Sequence, residues 1–388
     1  MNWKGILPLR DRRLAPQKLT KITVWVYRNL SPYVLETLKE LEIPEVYVQT
    51  ARAVVLRIHR GILGLRTETR LEEDICDSYR FYVPARFEVA VMSAIAKRAD
   101  LFMPGRGSIY SEEVSLYRQR GLLFNEERLR GLESSRLPAQ TGFSGISCIV
   151  QRGEGNMLAR SVVEMGFSVP VITYGTGMGL RDKLGLLRIT IPVSKEIISF
   201  IVSRHDAEEA LHLVSDRARI DHPGRGFIYL FPIRHAVVNT KIRRGEAEKV
   251  ASIEQIVAAI DEMSGNSVWR RRTAVGRLRK RRAPVLTGLS NYTIYDLEGQ
   301  TADLVRAAMT AGASGATLSN LRLDRFDGSQ VSTITRSREM SDLIIPSNIV
   351  DPVLKSSLAH GLMDGESNAA VELSSVEMAS TYLNRQDS

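Results

Sequence analysis

The chain has 388 residues, of which 44% are hydrophobic and 25% charged, a composition that excludes a mainly disordered protein and allows two to four domains of ~100–200 residues each. Lys and Arg number 53 against 44 Asp and Glu, a net charge of +9, which favours anionic partners without choosing among nucleotides, nucleic acid and acidic proteins. The two cysteines, Cys76 and Cys148, have no zinc-ligand spacing and exclude a disulfide framework, so a reducing cytoplasm is expected. Met1 to Arg13 lacks a signal-peptide core, and no apolar run is long enough for a membrane-spanning helix.

The first predicted strand is Ile22 to Arg28, with β-branched and aromatic residues in alternation. Ser31-Pro32 opens a helix over Tyr33 to Leu41, and Glu45 to Gln49 is the next strand. Tyr79 to Pro84 is a strand, followed by a helix over Arg86 to Arg98. In the middle of the chain the order is Gly145 to Gln151 (strand), Asn156 to Met165 (helix) and Val169 to Tyr174 (strand). Leu187 to Pro192 is then taken as a strand and Lys195 to Ser203 as a helix. Toward the end come Asn291 to Asp296 (strand), Gln300 to Ala311 (helix) and Gly315 to Asn320 (strand). Ser341 to Pro346 (strand) and Ile349 to Leu358 (helix) complete the series.

The series repeats. Pro104-Gly105-Arg106-Gly107-Ser108-Ile109-Tyr110 returns 119 residues later as Pro223-Gly224-Arg225-Gly226-Phe227-Ile228-Tyr229, with six of seven positions identical. Each repeat reads strand–helix–strand twice. The expected fold class is α+β: three tandem ferredoxin-like (βαββαβ) units in a pseudo-trimeric ring. The units are placed at 19–125, 140–250 and 284–384, with a basic linker at 251–283 that carries eight Lys or Arg between Trp269 and Arg282.

Three features of the middle unit carry chemistry. Gly175-Thr176-Gly177-Met178-Gly179 follows a strand, Gly224-Arg225-Gly226 makes a turn, and Lys241 alternates with Arg243 so that both point to one side of an extended segment. Glycine-rich turns form anion nests from successive backbone N–H groups, and basic side chains beside them neutralise phosphate. The competing structural readings are a mobile turn, a tight strand connection and ordinary surface charge.

In this order the three features resemble the PII signalling proteins, a nitrogen-regulatory family of ferredoxin-like trimers. The resemblance covers the middle unit best, the first moderately, and the third only through its strand–helix order. It implies a non-catalytic signal-transduction regulator that holds ATP or ADP in an inter-unit cleft. The implied contacts are Gly175, Thr176, Gly177, Gly179, Gly224, Arg225, Gly226, Lys241 and Arg243. The implied partner is a regulated protein, an enzyme or membrane transporter of nitrogen metabolism. The loop after Gly175 is short and holds no tyrosine or glutamine up to Arg188, so tyrosine modification, magnesium and 2-oxoglutarate are not expected. The third unit has Asp364-Gly365-Glu366 where the basic turn should be, which would repel phosphate.

Two other functional classes have less support in the residues. An enzyme lacks support, since the six histidines form no metal or triad spacing, His205 and His212 lying seven apart. A nucleic-acid binder could use the Arg-rich linker, but paired stacking aromatics are missing.

Overall fold

A computed structural model describes residues 15–60, 67–132, 140–179, 194–241, 243–244, 284–326, 336–363 and 369–382. The first segment of chain runs β1 (Gln17–Tyr27), α1 (Ser31–Glu40), β2 (Val46–Arg60), β3 (Thr67–Val83), α2 (Glu88–Arg98) and β4 (Gly107–Arg118), then a short α3 (Glu126–Arg130). The second runs β5 (Phe143–Gln151), α4 (Gly155–Glu164), β6 (Val171–Gly179), β7 (Ser194–Ser203), α5 (Ala207–Ala218) and β8 (Gly226–Pro232), with two short strands, β9 (Ala236–Val237) and β10 (Arg243–Arg244). The third runs β11 (Leu289–Leu297), α6 (Thr301–Thr310), β12 (Gly315–Asp324), β13 (Arg336–Pro346), α7 (Val350–Ala359), β14 (Ala370–Val376) and β15 (Met378–Thr381). The Arg-rich linker lies outside the described residues, as do Leu187 to Pro192 and Asp364 to Glu366. Among the described residues no helix is long and apolar enough to cross a membrane.

The expectation of three separate ferredoxin-like units in a pseudo-trimeric ring is corrected by the strand pairing. Elements do follow strand–helix–strand, strand–helix–strand in each segment, but among the described residues the strands form one continuous, largely antiparallel sheet of 15 strands. β4 pairs with β14 from Val114↔Ser374 to Arg118↔Ala370. β12 pairs with both β6 and β2, and β2 also pairs with β6. β9 reaches β4, and β15 reaches β8. Strand length is the physical reason. β2 and β3 are 15 and 17 residues long, far beyond the five or six of a common strand. Their ends outrun the local four-strand sheet and offer backbone groups that must pair with something.

Helices cover one face of this sheet. In α4, Leu158, Ala159, Val162 and Val163 are buried at helical spacing, while Arg160 and Glu164 pair at 2.8 Å on the opposite side. Each segment has its own core between helices and sheet. Two further cores lie where segments meet. One joins Trp25 and Tyr110 to Ile201, Tyr229, Phe231 and Val376, and the other joins Tyr47 and Tyr82 to Tyr295 and Leu321.

One predicted helix is a strand. Lys195 to Ser203 lies in β7, and the helix comes later as α5. Its Ile198, Phe200 and Val202 join the core under α4 and α5, while Ile201 joins the core between segments. A strand buried on both faces reads as a continuous apolar run, which periodicity alone cannot separate from a buried helix.

Candidate functional site

The sequence-derived site residues fall in three places. Gly175, Thr176, Gly177 and Gly179 occupy the end of β6, not a loop. Thr176 pairs with Ser194 of β7 and with Leu318 of β12, Gly177 with Thr317, and Gly179 with Gly315. A side chain at Gly175 would stand 2.7 Å from the Leu318 carbonyl oxygen, so close packing of strands accounts for that glycine. Extended backbone pointing its N–H groups at flanking strands does not converge on an anion.

Gly224, Arg225 and Gly226 form the turn before β8. Gly224 and Gly226 have φ of +74° and +123°, and a Cβ at Gly226 would overlap the Ile149 carbonyl. The earlier copy behaves alike: Gly107 has φ of +149° and abuts the Trp25 carbonyl. The repeated glycine is a requirement of the strand crossing. Arg225 donates to Glu154 beside the start of α4, and Gln151 Nε2 donates to the Gly224 carbonyl at 3.1 Å.

Lys241 and Arg243 do not join that turn. The tail after β8 crosses to the first segment and lies on its Pro104–Gly107 turn. Asn239 Oδ1 accepts from the Gly105 N–H at 2.9 Å and from the Lys241 N–H at 3.1 Å. The Asn239 N–H donates to Ser108 Oγ at 2.9 Å. The Lys241 stem packs over Gly105, with Cδ 2.9 Å from where a Cβ would sit. Arg243 and Arg244 pair in parallel with Leu56 and Arg57 of β2. In the turn, Arg106 Nε is buried without a hydrogen-bond partner, and Asp100 is 3.9 Å away. Behind this seam a cavity of about 10 Å³ is bounded by Trp25, Cys76, Gly107 and Asn239, room for about one water. Burial pushes the Cys76 thiol up, which keeps it protonated and unreactive.

Sequence reasoning missed a second site at the middle of the molecule. Three cross-strand rows face it, in register: Tyr110–Thr23–Arg80, Tyr229–Ser147–Ser199 and Glu372–Thr293–Asp342. All of these residues except Glu372 line a cavity of about 60 Å³ bounded by all three segments. Lys21 at its edge bonds Glu372 at 2.7 Å and Glu112 at 3.2 Å. The hydroxyls of Tyr82 and Tyr295 also donate to Glu372, at 2.6 and 3.3 Å. Burial works against the Lys21 ammonium, but these two carboxylates outweigh it and hold its pKa well above the usual lysine value. Burial raises the Glu112 and Asp342 carboxyls, with Lys21 opposing the first and a hydrogen bond from Thr293 the second. The available sequence signal was a small polar residue at the centre of each first strand: Thr23 between Ile22 and Val24, Ser147 between Ile146 and Cys148, Thr293 between Tyr292 and Ile294.

No group of three or more His, Cys, Asp or Glu side chains suited to a metal ion occurs among the described residues. Neither the known protein-family models nor the curated proteins include a match to this chain.

Proposed function

We propose that the protein is a non-catalytic, nucleotide-responsive regulator whose phosphate site is the seam between the Pro104–Gly107 turn and the tail that carries Lys241 and Arg243. The observation that carries this reading is the tail's position. It brings Lys241 from the second segment onto a glycine turn of the first, so that a turn and a basic tail meet between two segments, as the inter-unit cleft of the PII resemblance would require. The buried Nε of Arg106, which lacks a hydrogen bond and has Asp100 only at 3.9 Å, adds a donor that an oxyanion would satisfy. At about 10 Å³ the cavity behind the seam is too small for a purine, so the tail shifts to admit the base. That movement couples ligand to signal: the tail anchored by Asn239 is displaced or tightened, and a protein target reads the difference.

Calorimetric titration with ATP, ADP and AMP tests this. An adenine nucleotide binds, and Arg106→Ala or Lys241→Ala weakens it roughly tenfold, as loss of a charge-assisted hydrogen bond requires. No heat from any of the three at millimolar concentration refutes the reading, and equal binding by both variants refutes the seam as its place.

A further inference from the structure

The central cavity has an electrostatic asymmetry that its own residues leave unanswered. Arg80, on the wall given by the first segment, donates from Nη1 to Gln49 Oε1 at 3.2 Å and to Met340 Sδ at 3.8 Å. Among the described residues no carboxylate comes within 4.0 Å of its guanidinium. Asp342, on the wall given by the third segment, accepts from Thr293 Oγ1 at 2.7 Å and from Asn291 Nδ2 at 3.5 Å. No cation of the described residues reaches it within 4.0 Å either. Each group feels the other's charge, yet the two do not pair. Lys21 is no substitute, being committed to Glu112 and Glu372. The polar side chains that the second segment contributes are uncharged hydroxyls, Ser147, Thr173, Ser199 and Tyr229. An interior therefore holds one unanswered positive and one unanswered negative group across a space, and buried charges are costly unless paired. The amide oxygen of Asn291, 7% exposed and lining the same space, also lacks a hydrogen-bond partner.

From this we infer that the central cavity is a binding site for a small zwitterion of the amino-acid class, its carboxylate on Arg80 and its ammonium on Asp342. A carboxylate matches the planar guanidinium fork, and an ammonium supplies three donors to Asp342, Asn291 Oδ1 and the neighbouring hydroxyls. Size narrows the class. A water-sized group needs about 10–15 Å³ of such space, so about 60 Å³ takes roughly four to six non-hydrogen atoms. Glycine and alanine fit that limit, and leucine does not. The site is separate from the seam and does not depend on nucleotide binding.

Trp25 lines the cavity, with its ring edge-on to Tyr110 at 5.1 Å between centroids, and supplies the probe. In full-length protein carrying Trp3→Phe and Trp269→Phe, fluorescence and thermal midpoint are followed against glycine, alanine, leucine, acetate and methylammonium. Glycine or alanine should give a saturable change at millimolar concentration, with acetate, methylammonium and leucine at least tenfold weaker. Arg80→Gln and Asp342→Asn should each weaken the response roughly tenfold or more. If either variant fails to fold, the ligand series on the parent protein decides alone. A response to acetate or methylammonium equal to that of glycine, or no saturable response to either small amino acid, overturns the proposal.

Discussion

Asp342 is held by a buried cross-strand row, and its titration links that row to stability. Burial raises its carboxyl above the usual carboxylate range, and the hydrogen bond from Thr293 only partly offsets this. The unfolded chain loses this proton near pH ~4, while the folded chain keeps it to higher pH. The folded state then binds more protons than the unfolded state, so stability falls as pH rises from about 4 through the raised folded value. Glu112, shifted in the same direction, adds to the slope. In urea titrations across this range, Asp342→Asn should show a shallower fall than the parent, and an unchanged slope would mean that the carboxyl titrates normally. The sequence shows Asp342 only as one charged residue in a strand, as it shows Arg80. Polar residues alternating with apolar ones normally mark a solvent face. Here the second face is turned inward against other segments, and nothing in Thr23, Ser147 or Thr293 alone reports that.

At the scale of elements, one device recurs three times. The helices α1, α4 and α6 have no side-chain cap from their own N-cap residues. An acid on the third strand of each segment stands in. Ser31 Oγ donates to Asp77 at 2.5 Å, the Gly153 and Gly155 N–H groups donate to Glu196 Oε2 at 3.0 and 2.7 Å, and Thr301 Oγ1 donates to Glu339. At α4 the carboxylate answers unsatisfied N–H groups directly, at α1 and α6 it holds the hydroxyl of the first helical residue, and at all three it lies at the positive end of the helix dipole. Glu196 also accepts from Arg52 Nη2 at 2.9 Å, tying the first segment to the second. Glu196→Ala should cost about 1–3 kcal/mol in chemical denaturation, combining a lost cap with the loss of one of the two carboxylates on Arg52, which keeps Glu73, and Glu196→Gln should recover part. A cost under ~0.5 kcal/mol for the alanine variant would remove the capping role. This device also explains the misread helix. Asp77 and Glu196 are 119 residues apart, the spacing of the two Pro-Gly-Arg-Gly turns, which identifies β7 as the counterpart of β3. Leu187 to Pro192, read as a strand ending in proline like Tyr79 to Pro84, lies about a dozen residues before the position that this spacing assigns. β-Branched residues and the acid at the start of β7 were legible; the proline was the misleading mark.

Across the whole molecule, the outcome turns on pairings between segments. Repeated element order was visible in the sequence, because turn residues and apolar runs are local signals. That β12 would pair with β2 and β6 was not visible, since edge pairing depends on where long strands end in space. Separate units would melt separately, whereas a shared sheet with cores between segments makes them interdependent. Calorimetry should show one transition whose van't Hoff and calorimetric enthalpies agree. Two or three resolved transitions would show the segments to be thermodynamically independent. The candidate phosphate seam follows the same logic. Its glycine turn and basic tail are both legible as motifs, but the sequence order groups them within one repeat, whereas the tail crosses to another.

The pairing of β4 with β14 carries a consequence for biosynthesis. About 250 residues separate Arg118 from its partner Ala370. At ~5–20 residues per second, the ribosome needs about 12–50 seconds to supply the partner after finishing β4. β8 waits in the same way for β15, which holds Phe227 to Leu230 through the last strand of the sheet. During that interval the nascent chain presents long strand edges with open backbone groups, the form most prone to join another chain. A holding chaperone, or slow release from the ribosome, therefore matters more for this protein than for one whose sheets close as each stretch emerges.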